Sequence, residues 1–582
     1  MTEEYKISKQ HQHHTIGSLI EDMNGKDNDG IGFYIPDFQR FFCWDSEQVT
    51  NLFTSIIKKQ IIPSIMLWKT NLDVPYIRAF NEMSDEVVNL TTYSTPKNTG
   101  VKNIYIIDGQ QRLTSIFALY KGAKIAVEKD KDLEYSNKNP EIMDFKEFYV
   151  KINGLNLSDD KSIVLYNNDY HSLSYEESKD YIPLYKIIKT DGIMDNIMKI
   201  SKNSKKVFTI SQIYNAFTEE SISQEILITD NLPYIQNMYK NINTGGKTLN
   251  IEENAWSQLF KLKTLENNEF SFKHKSIDLS NKIFQKYGII LKPAFILNAT
   301  AYCLSGNIFT NTILSLSLEE VIEQWDCICQ SVTESVEFMK KQFHIENSSG
   351  LGNMIIAFSK FFYEKNTDKD LSLKQIKYLK SFYYTLMFRN DKDTLTRMKD
   401  LELYSQWMNN IAKGNFESFS NYIEYPTFEN FTDYNTVIFK DNSSLKSKVL
   451  QAYKSLMFER NPLSLVSGNI ISDNCLDSKD KLNLDHIFPK ANKGNKANNI
   501  FNIAILDFDT NRDKSVKAPS TVFSFPNQKG YEDGYEFNDE IKKSHFLENI
   551  PDEIYINDKY DDFVTLRSQN MFNYLESEFF LL

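Results

Sequence analysis

Apolar residues in the first 250 positions of the chain follow two alternating periods. Short continuous apolar runs predict buried strands, and apolar residues at i, i+3 and i+4 spacing predict amphipathic helices. The predicted strands are residues 33–35, 61–68 and 104–107, and the predicted helices are residues 48–58 and 113–120. Strands and helices that alternate in this way predict a mixed α/β domain over residues 1–250.

Beyond residue 252 the apolar period becomes helical, and strand signals are few. The pattern predicts a helical middle region over residues 251–440. Its aromatic side chains are expected to pack in a core rather than to form a base-stacking surface. The helical patterns cover residues 318–343, 354–362, 373–387 and 445–458, and the aromatic residues are Phe361, Phe362, Tyr383 and Tyr384.

Strand and turn signals return at residues 482–519, within a third predicted domain over residues 441–582. A last helix is predicted at residues 563–575 and closes this domain. For Arg567 on that helix, we expect an ion pair with Asp561 or Asp562 rather than a contact with phosphate. The sequence therefore predicts an α+β multidomain protein.

Composition and charge narrow the class of protein. At 582 residues the chain is too long for one hydrophobic core, and 41% hydrophobic with 25% charged residues is typical of globular proteins. The five cysteines are scattered without a CxxC pair, which favours a reducing cytoplasm. The polar N-terminus and the lack of a long apolar run predict a soluble protein that does not contact membranes.

The net charge of −12 argues against a protein that coats DNA indiscriminately, because such binding depends on Lys and Arg against phosphate. Any contact with nucleic acid is therefore expected to be local. His11, His13 and His14 near the N-terminus are compatible with a metal site. A polar stretch near a terminus is more often a mobile solvated segment, and that is what we expect here.

The stretch VKNIYIIDGQQRLTSIFALYKG combines three signals for an anion site: a buried strand, a sharp turn at Asp108 and Gly109, and a helix. Glycine lets the backbone approach a ligand closely, and free N–H groups at a helix N-terminus favour phosphate. Arg112 could add a cationic contact, and Asp108 could hold a metal or orient a water. An ordinary strand-to-helix connection, with Arg112 in a surface ion pair, explains these residues equally well.

Two other segments contain residue types that are common in phosphate contacts. Gln39 and Arg40 lie in a predicted loop, where Arg40 could meet the same phosphates, although an ion pair with Asp37 or Asp45 is equally compatible. The segment TGGKT ends like a P-loop, but the position where a P-loop requires its first glycine is Asn241. The P-loop interpretation therefore fails.

A second candidate catalytic site lies at Asp485 and His486, in the segment LNLDHIFPK. The pKa of a histidine ordinarily lies near neutral pH, so His486 could act as a general base on water, while Asp485 offers an oxygen ligand to a cation. Asn511 is the nearest plausible partner downstream, and oxygen ligands favour Mg²⁺ or Mn²⁺ over zinc. A surface Asp-His pair near a strand end remains the alternative.

The segment IDGQQRLTS is similar to the signature of the N-terminal domain of GmrSD-like type IV restriction proteins. Two further blocks of that family follow the same order, IPDFQRFFCW upstream and MYKNINTGGKTLN downstream. The resemblance implies a ParB/sulfiredoxin-like fold that binds and hydrolyses a nucleoside triphosphate, with Asp108 and Arg112 taking part in hydrolysis. The nucleotide-binding residues it implies are Gln39, Arg40, Asp108, Gly109, Gln110, Gln111, Arg112 and Asn243.

Residues 482–519 resemble the HNH, or ββα-metal, nuclease domain of the same family. The resemblance implies that Asp485 and Asn511 hold the metal, that His486 is the general base and that Asn502 stiffens the loop and orients the histidine. Asparagine at position 511 departs from the family's histidine but keeps an oxygen ligand. A local positive face is expected from Lys490, Lys493, Lys496, Arg512, Lys514 and Lys517.

Taken together, the resemblances imply a nucleotide-regulated, metal-dependent DNA endonuclease in bacterial antiphage defence. Its expected partners are modified or phage DNA, a nucleoside triphosphate and, in a homo-oligomer, further copies of the chain. The alternative is a ParB-like nucleotide switch whose HNH domain only binds DNA while a partner protein cuts. The set Asp485, His486, Asn502 and Asn511 disfavours that alternative, because a binding remnant need not keep a base and metal ligands.

Overall fold

The chain forms two compact units in the computed structural model, Met1–Ile277 and Asp278–Leu582. The second unit contains both the long helices and the Asp485–His486 segment, so the three-way division at residues 250 and 440 stays a prediction. The structure describes residues 7–24, 33–80, 83, 87–88, 103–127, 141–158, 162–189, 203–242, 251–262, 270–345, 352–365, 370–389, 398–432, 444–464, 468–471, 483–506, 511, 514, 516–524, 535–536 and 538–580.

Both units combine strands with helices. The strands are β1 (Ser8–Thr15), β2 (Phe33–Pro36), β3 (Ile65–Thr70), β4 (Tyr76–Ala79), β5 (Val87–Val88), β6 (Asn103–Asp108), β7 (Lys124–Val127), β8 (Glu141–Asp144), β9 (Phe148–Lys151), β10 (Val164–Tyr166), β11 (Tyr181–Pro183), β12 (Ser221–Ile228), β13 (Phe260–Lys261), β14 (Phe270–Ser271), β15 (Asn483–His486), β16 (Ile503–Leu506), β17 (Phe523–Ser524) and β18 (Tyr535–Glu536).

The longest α-helix among the described residues, Leu318–Phe343 with 26 residues, lies in the second unit. The α-helices are Ile16–Met23, Ser46–Ile57, Gln110–Lys121, Asn167–His171, Tyr175–Ser178, Leu184–Ile188, Ser204–Glu219, Leu232–Ile242, Ile251–Gln258, Phe272–Tyr287, Pro293–Ser305, Thr310–Leu314, Leu318–Phe343, Gly352–Lys365, Leu373–Phe388, Met398–Ala412, Phe428–Thr432, Ser444–Phe458, Lys490–Lys493, Pro519–Val522, Asp539–Ser544, Asp552–Ile556 and Tyr560–Leu575. None of the described helices is long and apolar enough to cross a membrane.

A six-stranded mixed sheet organises the first unit, in the order β1-β12-β3-β6-β2-β4. The strand β6 lies inside this sheet, antiparallel to β3 and parallel to β2. Its side chains alternate between two apolar clusters, with Ile104 and Ile106 in one and Tyr105 and Ile107 in the other. Burial on both faces explains why this strand is a continuous apolar run, and it fixes where the following turn begins.

The second unit is mainly helical, and its core is aromatic. All four aromatic residues expected in the core are buried, and the rings of Phe343 and Tyr383 stack with centroids 3.7 Å apart. The small antiparallel sheet β15-β16 belongs to the same unit. Phe501, just before β16, contacts Phe431 and Tyr453, so the helical core supports the sheet that carries Asp485 and His486.

Three expectations from the sequence are wrong. The N-terminal histidine stretch is not a mobile segment: it forms β1, which pairs along its whole length with β12. The strand expected at residues 61–68 begins only at Ile65, and Ile61 is 97% exposed. Arg567 is fully buried rather than on the surface.

Arg567 joins three parts of the second unit through backbone carbonyls. Its guanidinium donates to the carbonyl oxygens of Phe501 and Ile503 at 2.7 Å and of His545 at 3.1 Å. It makes no ion pair with Asp561 or Asp562, and burial lowers its pKa to about 10. A guanidinium suits this position because its planar fork donates in several directions at once.

We predict that Arg567→Met destabilises the second unit by ~3 kcal/mol or more, because three buried carbonyl groups lose their donor. Thermal and urea unfolding measure the change. Lys559→Met, which removes an exposed cation just before the same helix, is the matched control and should change stability by less than about 0.5 kcal/mol. Equal stability of the two variants would contradict a structural role for Arg567.

We also predict that Gly109→Ala destabilises the first unit more than Gly154→Ala does. Both glycines have a left-handed backbone, with φ of +88° and +65°, so both substitutions incur that conformational strain. A Cβ at position 109 would lie 2.6 Å from Cγ2 of Ile65, whereas at position 154 it would meet nothing within 4 Å. The difference in unfolding free energy should be ~1–3 kcal/mol, the usual cost of overpacking.

Candidate functional site

The turn at the end of β6 gives the first candidate site its shape. Asp108 is the last residue of the strand, Gly109 adopts the left-handed conformation, and the helix Gln110–Lys121 begins at the next residue. Ile65 of the neighbouring strand leaves no room for a side chain at position 109. The helix therefore begins directly after a carboxylate, which is the strand, turn and helix predicted from the sequence.

The two glutamines of this segment hold the loop that follows β2. Gln110 Nε2 donates to the carbonyl oxygen of Arg40 at 2.8 Å. Gln111 Nε2 donates to the carbonyl oxygen of Phe41 at 3.1 Å, while its Oε1 accepts from the backbone N–H of Cys43 at 2.9 Å. Both side chains are buried, so their observed contacts position the loop rather than face a ligand.

Gln39 makes the reciprocal contact from the loop to the sheet. Its Nε2 donates to the carbonyl oxygens of Ile106 at 2.7 Å and Ile107 at 3.2 Å. Its Oε1 is buried and has no hydrogen-bond partner. The loop and the DGQQR turn are therefore tied together from both sides.

Arg112 is paired with Asp108 in this structure. Its Nη2 lies 3.1 Å from Oδ2 of Asp108, and Nη1 donates to the carbonyl oxygen of Pro63 at 2.5 Å. Burial lowers the pKa of Arg112, an effect that the charge of Asp108 partly offsets. The guanidinium side chain is 14% exposed and the carboxylate 36%, so Asp108 is the more accessible partner.

Arg40 has a partner that neither sequence alternative named. Its Nη1 lies 3.8 Å from Oε1 of Glu253, which the helix Ile251–Gln258 supplies. Asp37 and Asp45 have other roles: Asp37 joins the network described next, and Asp45 caps the helix Ser46–Ile57. Arg40 and Glu253 are more than 200 residues apart in the sequence, so no local sequence pattern could predict that they pair.

A buried polar network also holds this loop. Asp37 accepts hydrogen bonds from Ser271 and His274. Lys273, 1% exposed, donates to the carbonyl oxygens of Asp37 and Gln39, and its ammonium lies 3.7 Å from the ring centroid of Phe41. The sequence interpretation missed these residues because nothing in the segment FSFKHK indicates that its charges are buried.

The second candidate site lies on the sheet β15-β16. The pair Asp485 and His486 ends β15, and Nδ1 of His486 lies 3.5 Å from Oδ1 of Asp485. Nε2 of His486 lies 3.0 Å from Oδ1 of Asn498. Asn498 was not predicted, and the amide-rich segment NKANN around it is the signal that could have suggested it.

The side chain of Asn502 hydrogen-bonds to the backbone of the loop that follows β15. Its Oδ1 accepts from the backbone N–H of Phe488 at 2.8 Å, and its Nδ2 donates to the carbonyl oxygens of Phe488 and Ala497 at 2.9 Å. The backbone carbonyl of Asn502 also accepts from the N–H of Ile487. One buried side chain therefore fixes the backbone immediately after His486.

Lys514 is buried beside Asp485, not part of an exposed positive face as expected. Its side chain is 2% exposed, and Nζ lies 3.0 Å from Oδ2 of Asp485. Burial alone would raise the pKa of Asp485, but the hydrogen bond with His486 and the charge of Lys514 outweigh it and lower the pKa to about 2. Asp485 is therefore a carboxylate at neutral pH.

The donors of this site suit a hydrated hard cation. Within the described ranges, no group of three or more His, Cys, Asp or Glu side chains converges to hold a metal. Asp485 and Asn511 would supply one carboxylate and one amide oxygen, and Mg²⁺ characteristically keeps several waters beside one or two carboxylates. Asn511 is half-buried and lies three residues before Lys514, which contacts Asp485.

Some expected residues have no structural account. Asn243 and the glycines of the TGGKT segment lie outside the described residues, and so does Arg512.

The DGQQR turn and the loop with Gln39 and Arg40 meet in one place, as the predicted nucleotide site requires. Likewise Asp485, His486 and Asn502 lie around one short two-stranded sheet.

Comparison with known proteins gives a family match for the part of the chain that contains the DGQQR turn. Residues 20–260 match the family described as the GmrSD restriction endonuclease, N-terminal domain. An uncharacterized protein of Methanocaldococcus jannaschii is 33% identical over 92 residues, which cover 15% of this chain and 14% of that protein. The matched range contains both the DGQQR turn and the loop that it holds. Residues 20–260 are therefore similar to the N-terminal domain of the GmrSD restriction endonuclease family.

Proposed function

We propose that this protein is a nucleotide-regulated, metal-dependent DNA endonuclease that restricts modified or phage DNA in antiphage defence. The observation that carries the proposal is the Asp485–His486 pair, held by Asn502, in a chain whose N-terminal domain matches a restriction endonuclease family. A short antiparallel pair of strands bearing this Asp-His dipeptide supports an HNH, or ββα-metal, nuclease site. The DGQQR domain would be ParB/sulfiredoxin-like and bind the nucleotide.

His486 is the proposed general base. Nε2 of His486 faces Oδ1 of Asn498 and Nδ1 faces Oδ1 of Asp485, and both oxygens accept hydrogen bonds. The protonated imidazole can therefore donate to both, and the neutral base would keep its proton on Nε2 and its lone pair on Nδ1. Nδ1 can then take a proton from a water that attacks the phosphodiester. Asn502 keeps the backbone behind His486 in place, so that the ring position does not depend on a free loop.

Asp485 and Asn511 would hold Mg²⁺ or Mn²⁺, which stabilises the negative charge that develops on the phosphate and the leaving oxygen. Lys514 keeps Asp485 ionised, and its own charge is buried against that carboxylate. The exposed lysines Lys490 and Lys496 remain as candidate contacts to the DNA backbone. These lysines would give a local positive surface for DNA on a protein whose net charge is −12.

The DGQQR turn is the proposed triphosphate site. Gly109 and the N-terminus of the helix Gln110–Lys121 offer backbone N–H groups to a phosphate. Arg112 and Arg40 are each paired with a carboxylate, Asp108 and Glu253, so a bound triphosphate would compete for both guanidinium groups. Gln39, Gln110 and Gln111 contribute by fixing the loop, and Asn243 is proposed as a further nucleotide-binding residue.

We predict that His486→Ala lowers DNA cleavage by ~10²–10⁴-fold, the usual contribution of a general base, without changing thermal stability. The assay uses plasmid and modified phage DNA with Mg²⁺ or Mn²⁺, with and without each nucleotide. Chelation by EDTA should stop cleavage, and added Mg²⁺ or Mn²⁺ should restore it. His171→Ala, which removes an exposed histidine of the first unit, is the matched control and should cleave normally.

Full cleavage by a folded His486→Ala protein would refute the assignment of the base. Cleavage that resists EDTA would refute the metal site. If neither the protein nor its controls cut any DNA, while the protein binds DNA in a nucleotide-dependent way, the ParB-like regulator becomes the better description.

We predict that Arg112→Ala and Asp108→Asn weaken triphosphate binding or hydrolysis and also change the rate of DNA cleavage. Such coupling requires two states that the nucleotide and the DNA favour differently, typically by ~1–3 kcal/mol. Equilibrium nucleotide binding, nucleotide hydrolysis and DNA cleavage are measured on the same preparations. Arg112→Lys, which keeps the charge but loses the forked geometry, separates the contribution of charge from that of shape.

A cleavage rate that is the same with every nucleotide, and in all three variants, would show that the two domains are merely tethered. In that event the DGQQR turn would be better explained as a DNA-docking loop, and salt would weaken DNA binding by the wild type more steeply than by Arg112→Ala.

A further inference from the structure

The exposed face of β1 carries a histidine pair that the proposed nuclease does not use. β1 is an edge strand and pairs antiparallel with β12, with His11 opposite Glu225 and His13 opposite Ser223. Residues two apart on a strand, and residues directly opposite each other, project from the same face. These four side chains therefore share one face, whereas His14 projects from the other.

The two imidazole rings meet through the same ring nitrogen. Nε2 of His11 lies 3.1 Å from Nε2 of His13, and the rings are nearly perpendicular with centroids 4.8 Å apart. Nδ1 of His11 lies 2.6 Å from Oε1 of Glu225. Because a carboxylate accepts, Glu225 holds the proton of His11 on Nδ1 and leaves the lone pair of Nε2 directed toward His13.

A carboxylate that accepts from the ring N–H opposite the metal-binding nitrogen is a usual partner of a metal-binding imidazole, and Glu225 has this position at His11. Zinc–imidazole bonds are ~2.0–2.1 Å long, so two such nitrogens on one tetrahedral ion lie about 3.4 Å apart. The observed separation of 3.1 Å differs from that value by only a few tenths of an ångström. A metal ion can therefore enter between the rings with a small side-chain rotation.

We propose that His11 and His13 bind a divalent transition-metal ion, with Zn²⁺ or Cu²⁺ as the chemical class and Glu225 as the residue that orients His11. Imidazole nitrogens suit these ions, whereas Mg²⁺ prefers oxygen ligands, so this site differs in ion class from the one proposed at Asp485. Glu225 contacts the nitrogen that faces away from His13 and is not a third ligand.

The test is calorimetric titration of the full chain with Zn²⁺, in a buffer with saturating Mg²⁺ to occupy oxygen-ligand sites. His11→Ala and His13→Ala should each remove the same binding event, and Glu225→Gln should weaken it by ~10–100-fold, the usual loss when an outer carboxylate is removed. His14→Ala is the matched control, because His14 bonds to Gln12 on the other face of the strand. It should leave the affinity unchanged.

Titration with Cu²⁺ gives a second readout that does not depend on affinity alone. The electron paramagnetic resonance spectrum should show coupling to two imidazole nitrogens in the wild type and in His14→Ala, and to fewer in His11→Ala. Loss of binding in His14→Ala to the same extent as in His11→Ala would overturn the proposal. So would Zn²⁺ binding that survives both single substitutions at His11 and His13. Circular dichroism checks that each variant keeps its fold.

Discussion

The loop after β2 depends on side chains from elsewhere in the first unit, and this dependence organises the first candidate site. Gln110 and Gln111 bind its backbone at residues 40, 41 and 43, and Gln39 binds back to the carbonyls of β6. A side-chain-to-backbone hydrogen bond contributes only ~1 kcal/mol net, but a buried backbone group left unpaired costs more than that. The loop therefore holds one conformation as long as the helix Gln110–Lys121 begins where it does.

Charged groups in both units are buried against fixed partners, and this limits what each site can do. Lys273 binds the backbone of the loop, Lys514 binds Asp485, and Arg567 binds three carbonyls. Breaking such a contact from one side leaves an uncompensated charge or acceptor, which costs several kcal/mol. These groups are therefore part of the scaffold. The pair Arg112–Asp108 is partly open to solvent through Asp108, whose side chain is 36% exposed. It can therefore exchange partners at lower cost than Arg40–Glu253, whose side chains are only 12% and 9% exposed.

Patterns of local period and turn chemistry predicted the elements that carry the chemistry. The helix expected at residues 318–343 is Leu318–Phe343, and the apolar run at residues 104–107 lies within β6. The sequence could not predict pairing over long distances: β1 with β12, Arg40 with Glu253, and Lys514 with Asp485 each depend on the tertiary fold. The expected ion pair of Arg567 with Asp561 or Asp562 was wrong for the same reason. Arg567 is buried because it binds backbone carbonyls of distant residues, which no local residue pattern indicates.

The difference between scaffold charges and exchangeable pairs has a consequence for how a triphosphate could act on this protein. A phosphate can offer Arg112 a forked, charge-assisted contact in place of the one that Arg112 loses with Asp108. The released carboxylate, already 36% exposed, would then be free to hold a cation or a water beside the same phosphate. Arg40, which is paired with the buried Glu253, lies on the loop that Gln110 holds by its backbone. Phosphate binding would therefore change the partner of Arg112 while the glutamine contacts keep this loop in place.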